Sequence, residues 1–347
     1  MRRLLPIAFG IAVSTVALGI LISTFDVGAV LSVLAEADVR WLVVALGLIA
    51  IQLVVRTVRW RSLLPAGPQG LPIPVMRLLP VVLIGYLCNA VLPARLGEPI
   101  RAVLVDRREK VGLPEALGSV LLERIVDLAV LAWLILVAAL LVDAPPWIIQ
   151  VAAAVSLVGG VLLGMLATTG VASLVALGTR HPAMIRRRIL ARAMRALERL
   201  AHAIGGRSRR RAIAFASLLS AAAWLLEGGT FWLVAKSLDI ELAPSSAMLV
   251  AGITVLSTAI PSAPGYLGTY DLAASFAATA LGVPEAEALA LALLVHAVTL
   301  VPLALGGVVS LLALDVRLDS LAQESTEISA LASGTSVPES SSPPDLS

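Results

Sequence analysis

Three short stretches bring together residues that could hold an acidic group inside a membrane. The first contains Asn89, Pro93, Arg95, Gly97, Glu98, Pro99 and Arg101. Pro93 and Gly97 break a helix, and Pro99 fits the first turn of a new one. A helix restarted there offers free backbone N–H groups and a positive end, both of which attract anions. Arginine adds a planar fork that meets a phosphate bidentately. Glu98 and Arg101 are spaced i,i+3, which predicts a pair on one face of the new helix. Insertion scales put a central Arg or Asp at about 2.5–3.5 kcal/mol, so such residues at membrane depth must pair or line a wet cavity. A cytoplasmic loop whose charges snorkel into water is the competing reading.

The second stretch is Glu123, Arg124 and Asp127 in an otherwise apolar run. Glu123 and Asp127 are four apart and share a helix face, with Arg124 about 100° round from Glu123. They make either a charge network bracketing the first stretch, with Arg124 available to a phosphate or carboxylate, or a structural ion-pair lock; the two are compatible. The third stretch carries Pro261, Pro264, Gly265 and Gly268, then Asp271. Thr269 could cap the half-helix that follows, with Asp271 in its first turn. The order of apolar arm, break and acidic residue repeats the first stretch, and matching breaks in two halves of a transporter point to a midplane site. An ordinary turn between two full spans would also account for it. Glu227 is a lone membrane carboxylate, suited to relaying protons or to partnering an arginine. His296, in mid-span, reads as a helix–helix hydrogen bonder.

The elements that must position these residues follow from composition. The chain has 347 residues, 59% hydrophobic and 14% charged, against about 45–50% and about 25% in a soluble domain. The balance predicts an all-α, polytopic integral membrane helix bundle with about six full spans and two broken or re-entrant hairpins in an inverted-repeat arrangement. Spans are expected over 4–23, 41–55, 117–142, 147–167, 212–234 and 288–314, with a broken hairpin over 76–105 and a broken pair over 245–281. Trp41 and Trp60 flank the second span as interfacial anchors, and Arg56, Arg59 and Arg61 close it. Between the first two spans lies a polar link with Asp26, Glu36, Asp38 and Arg40. Over 182–204 apolar residues and arginines take different faces, which predicts an amphipathic helix on an anionic inner leaflet. Residues 319–347 are too polar to bury a core and are expected to be a disordered tail.

Soluble-enzyme chemistry finds no support. Cys88 is the single cysteine, and His181, His202 and His296 lie far apart. No phosphate-binding Gly-Lys loop, nucleophile elbow or dinucleotide fingerprint occurs. The expectation is no enzyme, no metal, no cofactor and no nucleic-acid partner, and energy drawn from a gradient or from the lipid itself. Basic residues set the topology. If 76–101 returns to its own side, Arg2–Arg3, Arg56–Arg77, Arg107–Lys110, Arg180–Arg211 and Arg317 all fall inside, and only Arg40 and Lys236 fall outside. This predicts a plasma-membrane protein with both termini cytoplasmic.

Taken in order, Asn89–x3–Pro93–Ala–Arg95–x–Gly97–Glu98–x2–Arg101, then Glu123–Arg124–x2–Asp127, then Pro264–Gly265–x–Leu–Gly268–x2–Asp271 resembles the flippase-like transmembrane domain of lysylphosphatidylglycerol synthases. The resemblance extends over roughly Leu4 to Leu314 in order and hydropathy. Its final acidic position is more often Glu in that family and is Asp271 here. Full-length members carry a soluble aminoacyltransferase domain after the membrane part, so lipid aminoacylation is not expected of this chain. The resemblance implies translocation of an anionic phospholipid or a polyprenyl-phosphate-linked lipid. Arg95, Arg101 and Arg124 would then bind the phosphate, while Glu98, Glu123, Asp127 and Asp271 orient them or contact a cationic headgroup. The alternative is a non-transporting scaffold for a lipid-modifying enzyme or glycosyltransferase. Membrane lipids are the expected partners, with a homodimer or a separate lipid-modifying enzyme beside them.

Overall fold

Nothing in a bilayer can satisfy an exposed backbone N–H, so long apolar runs fold as helices. A computed structural model of the chain describes residues 5–24, 26–67, 70–92, 96–168, 206–260 and 262–316. The helix expected over 182–204, the tail 319–347, and Pro93, Arg95 and Pro261 lie outside the described residues. Those described form α1 (Leu5–Thr24), α2 (Val27–Ala35), α3 (Val39–Leu63), α4 (Val75–Val91), α5 (Gly97–Glu109) and α6 (Leu113–Leu141). There follow α7 (Pro146–Thr168), α8 (Gly206–Ser237), α9 (Pro244–Ser257), a 3₁₀ turn at Pro264–Tyr266, α10 (Thr269–Ala280) and α11 (Glu285–Leu314). By length and composition α3, α6, α8 and α11 can each cross a membrane; α1 and α2, bent by 85° at their junction, would together make a fifth crossing. Shorter apolar stretches lie in α4, α7 and α9.

Two local features differ from the sequence-based expectation. The polar link after the first span contains α2, capped by Asp26, whose Oδ1 accepts from the N–H groups of Gly28 at 2.8 Å and Ala29 at 3.3 Å. Nine apolar residues are too few to signal a span, but one good cap suffices to start a short helix. The second difference is larger. Helix α3 continues two turns beyond position 55, so Arg59 and Trp60 are not at an interface but wholly buried. Packing is the reason: α3 lies along α8 and touches α6, and Trp60 donates its indole N–H to Ser119 Oγ of α6 at 3.1 Å.

The two breaks become the tips of two hairpins. Helices α4 and α5 run antiparallel, with Gly85 against Gly97 and Arg101, and Arg77 paired with Glu109 at 3.4 Å towards the other end. A Cβ at Gly97 would collide with the Gly85 carbonyl and with Asn89 Oδ1, so this approach of two backbones requires glycine. The second hairpin packs α9 on α10 across the Pro264–Tyr266 turn. Thr269 does not cap α10. It is the first helical residue, its hydroxyl donates to the Tyr266 carbonyl at 3.1 Å, and Asp271 reaches back to accept from the Gly268 N–H at 3.0 Å.

Helix α11 carries both hairpins. Near its C-terminal end Gly306 and Gly307 let Leu83 and Leu87 of α4 close in, and nearer its start His296 faces α10. Between them the tips meet, with Gly265 of the second hairpin beside the Ala90 carbonyl of the first and Leu300 of α11. Helix α1 covers the second tip through Ser14, whose hydroxyl accepts from the Ala263 N–H at 2.8 Å, and through buried Ala17 and Leu21.

The Gly85–Gly97 contact makes a clear expectation. Replacing Gly97 by valine should cost about 1–3 kcal/mol, the usual range for forcing atoms into a packed site. The melting temperature in detergent should fall accordingly. Gly47→Ala, where a new Cβ meets nothing within 4 Å, should leave it unchanged; equal effects of the two would contradict the hairpin contact.

Candidate anion site in the helix bundle

A guanidinium stays charged in a protein, so a buried one needs carboxylates or other acceptors around it. Helix α6 supplies two of them one turn apart, Glu123 and Asp127, and α3 inserts Arg59 between them. Arg59 donates from Nη2 to Glu123 Oε1 at 2.5 Å and from Nη1 to both Asp127 Oδ1 and Ser220 Oγ of α8, the latter at 3.0 Å. All three ionic side chains are 1% exposed. The second oxygen of Glu123 takes Arg101 of α5 at 2.5 Å. The Arg101 guanidinium also lies over the Trp60 ring, 4.4 Å from its centroid, a cation–π contact. One carboxylate thus ties α3, α5 and α6 together.

A looser pair sits outside this lock. Arg124 Nε is 3.0 Å from Glu98 Oε1, and its Nη1 is 3.6 Å from Asp127 Oδ2. These side chains are 33% and 21% exposed for Arg124 and Glu98. A half-open cleft lies between lock and outer pair, about 310 Å³ when the space open to the surroundings is included. Its walls are Val82, Gly85, Tyr86 and Asn89 of α4, Gly97, Glu98 and Arg101 of α5, Glu123 and Arg124 of α6, and Arg59 of α3. Asn89 bridges the helix break by accepting the Gly97 N–H at 2.9 Å, which fixes where α5 begins. The buried Nε–H of Arg101 has no hydrogen-bond partner. A donor left unpaired at low dielectric costs about 1–3 kcal/mol, so an acceptor entering beside it is favoured.

Behind Tyr86 lies a further pair. Arg56 donates to Glu227 Oε2 at 3.1 Å and to the Tyr86 hydroxyl at 3.3 Å, and Gln52 donates to the same Glu227 oxygen at 2.7 Å. Glu227 is therefore an arginine's partner. The Arg56 guanidinium also stacks 4.8 Å from the Trp224 ring centroid.

Of the residues singled out in the sequence, Asn89, Glu98, Arg101, Glu123, Arg124 and Asp127 converge here, as do the breaks around Gly97 and Pro99. Two details differ from expectation. Glu98 and Arg101 do not pair with each other; each takes a partner on α6, because α6 offers oppositely charged groups facing both. Asp271 is not among the cavity residues. Its Oδ1 lies 2.7 Å from His296 Nδ1 of α11, in the second hairpin with Pro264, Gly265 and Gly268. Arg59, the centre of the lock, is the residue that sequence reasoning missed. A basic residue at the end of an apolar run looks like an interfacial stop. A signal was nevertheless there, since Gln52, Arg56 and Arg59 recur at the four- and three-residue spacing of one helix face.

Residues 7–307 match the family described as the lysylphosphatidylglycerol synthase TM region. The chain is also similar to the glycosyltransferase AglD of Haloferax volcanii, 27% identical over 358 aligned positions that cover 94% of this chain and 57% of that protein. It thus spans little over half the length of that relative. No solved structure matches it.

The lock and the outer pair should respond differently to mutation. Arg59→Ala removes the shared partner of two buried carboxylates and should cost about 3–5 kcal/mol. Glu98→Ala opens a partly exposed pair and should cost about 0–1 kcal/mol. Thermal unfolding of both variants in detergent tests the ranking, and a reversed order would show that Arg59 does not hold the bundle.

Proposed function

The chain belongs to the lysylphosphatidylglycerol synthase transmembrane family and is a multi-pass membrane protein, and from that premise we propose that it moves the acidic headgroup of a lipid through the bundle. The substrate class is an anionic phospholipid or a polyprenyl-phosphate-linked lipid. The observation that carries this reading is the cavity wall itself, with Arg101 holding an unsatisfied N–H beside a pair, Arg124–Glu98, that opens at low cost.

The charges explain how a headgroup would enter. Among the described residues, Arg59, Arg101 and Arg124 are balanced by Glu98, Glu123 and Asp127, so this cluster carries no excess positive charge. An incoming phosphate must therefore displace a carboxylate. Glu98 is the one to leave, because its pair with Arg124 is partly exposed while the inner pairs are 1–9% exposed. The phosphate then bridges Arg124 and Arg101, with the start of α5 adding its partial positive charge. Arg59, Glu123 and Asp127 act as positioning residues. Arg95 joins the ligand set as an expectation from sequence, since it falls in the break between α4 and α5.

A second reading rests on the similarity to the glycosyltransferase AglD. In it the same cavity presents a lipid-linked substrate to a separate glycosyl-transferring or lipid-modifying enzyme without moving it across.

Purified protein in liposomes containing headgroup-labelled phosphatidylglycerol, or a labelled polyprenyl phosphate, separates these readings. Arg101→Ala and Arg124→Ala should each slow headgroup movement by roughly tenfold or more, the worth of one charge-assisted hydrogen bond. Undiminished movement by both variants rejects the site. Binding of the labelled lipid by wild-type protein without movement would select the second reading.

A further inference from the structure

The second hairpin contains a polar cluster that the lipid reading does not use. His296 of α11 is nearly buried, and both of its ring nitrogens meet oxygen atoms. Nδ1 is 2.7 Å from Asp271 Oδ1, and Nε2 is 2.8 Å from the Gly265 carbonyl. A backbone carbonyl can only accept. An ionised carboxylate can only accept too, and the other Asp271 oxygen already takes the Gly268 N–H at 3.0 Å. A neutral imidazole carries one N–H and can satisfy one of these two acceptors. The second contact would then set a bare nitrogen against an oxygen at hydrogen-bond distance.

Both contacts are satisfied at once only if the pair holds one proton more than a neutral histidine beside a carboxylate. That proton sits either on the ring, as imidazolium against carboxylate, or on Asp271 Oδ1, which then donates to Nδ1. With the proton on the ring, each nitrogen donates to one of the two oxygens that face it. Of the elements packed on α11, α10 contributes Asp271 and Tyr270, whose ring lies 4.5 Å from the imidazole. Helix α8 contributes Glu227, in electrostatic reach of Tyr270 and held by Arg56 of α3. Helix α4 carries Tyr86, bonded to Arg56, with Arg77 on Glu109 and a buried Cys88, while α2 has no titratable side chain.

The turn that His296 holds is strained. Gly265 has φ 71° and Tyr266 has φ 60°, and a left-handed conformation is costly for a tyrosine. The turn also touches the tip of the first hairpin at Ala90. We propose that Asp271 and His296 form a proton-binding site that latches the second helix break onto α11. Its ligand is H⁺. When the proton leaves for water, the neutral imidazole keeps one N–H, which stays with the negatively charged Asp271. The Gly265 carbonyl loses its donor and the strained turn is released. This inference goes beyond lipid movement and does not depend on it.

The test uses the full chain in phosphatidylglycerol-containing nanodiscs, with ¹⁵N-labelled histidine. The His296 signal is identified by its loss in His296→Gln. At mildly acidic pH both of its ring nitrogens should be protonated, and at alkaline pH only one. Over the same range, amide exchange at Gly265–Gly268, corrected for the intrinsic effect of pH, should rise by roughly tenfold, matching the loss of one hydrogen bond at a strained turn. In Asp271→Asn the amide can donate to Nδ1 while a neutral ring donates to Gly265, so the latch should hold with no extra proton. Exchange in that variant should be slow and independent of pH. The proposal is overturned if His296 carries a single N–H at every pH, or if Asp271→Asn retains the pH response. Should Asp271→Asn not fold, the wild-type nitrogen signals decide the matter alone.

Discussion

An arginine cannot shed its charge to suit an apolar interior, so wherever one is buried the surrounding chain must be arranged to receive it. Arg59 imposes this on the whole bundle. Its two terminal nitrogens engage Glu123 and Asp127, which fixes the rotation of α6 against α3, and Ser220 brings α8 to the same point. Glu123 has a second oxygen, and Arg101 takes it. The position of α5 is therefore set from the far side of the bundle, through one carboxylate, and the cavity between α4, α5 and α6 follows. Apolar packing alone would leave these helices free to rotate, because lipid tails are as good a solvent for leucine as another helix is.

The hairpins depend on a second constraint, the absence of side chains at a few positions. Gly97 sits where a Cβ would strike the Gly85 carbonyl, and Gly307 sits where one would press on Leu83 and Leu87. With those contacts in place, both hairpins rest on α11 and their tips meet near Leu300. A broken helix leaves backbone groups that lipid cannot satisfy. Here protein covers them, with Asn89 serving the first break, and Ser14 and Asp271 the second.

Much of this is legible in the sequence. The class of fold followed from composition. The breaks at Gly97 and Pro264–Gly265 follow from residue types with one backbone meaning; five of the eight residues proposed for the site line one cavity, and Asp127 sits behind it on Arg59. What sequence could not give was partner choice. Glu98 and Arg101 suit each other at i,i+3 spacing, and nothing local reveals that α6 will offer each a better partner. Arg59 and Trp60 were misleading for a related reason. Arg and Trp near the end of an apolar run are the marks of an interface, and only tertiary packing shows that α3 does not end there. Residue type groups Asp271 with the arginines because all are ionisable groups beside helix breaks, yet among the described residues the two tips meet at Gly265, the Ala90 carbonyl and Leu300.

The separation of Asp271 from the arginines bears on how such a bundle could change state. Each hairpin ends in a helix held at its start by one side chain, Asn89 for α5 and Asp271 for α10, and each lies against a different part of α11. The inner lock of the first hairpin consists of pairs with 1–9% exposure, so a single step of opening would strand several charges at once. Among the described residues the second hairpin has no such lock; the His296 imidazole and Leu300 join its turn to α11, and Tyr266 in that turn is held at positive φ. If one of the two is to move, it is the second, because fewer and weaker interactions resist it.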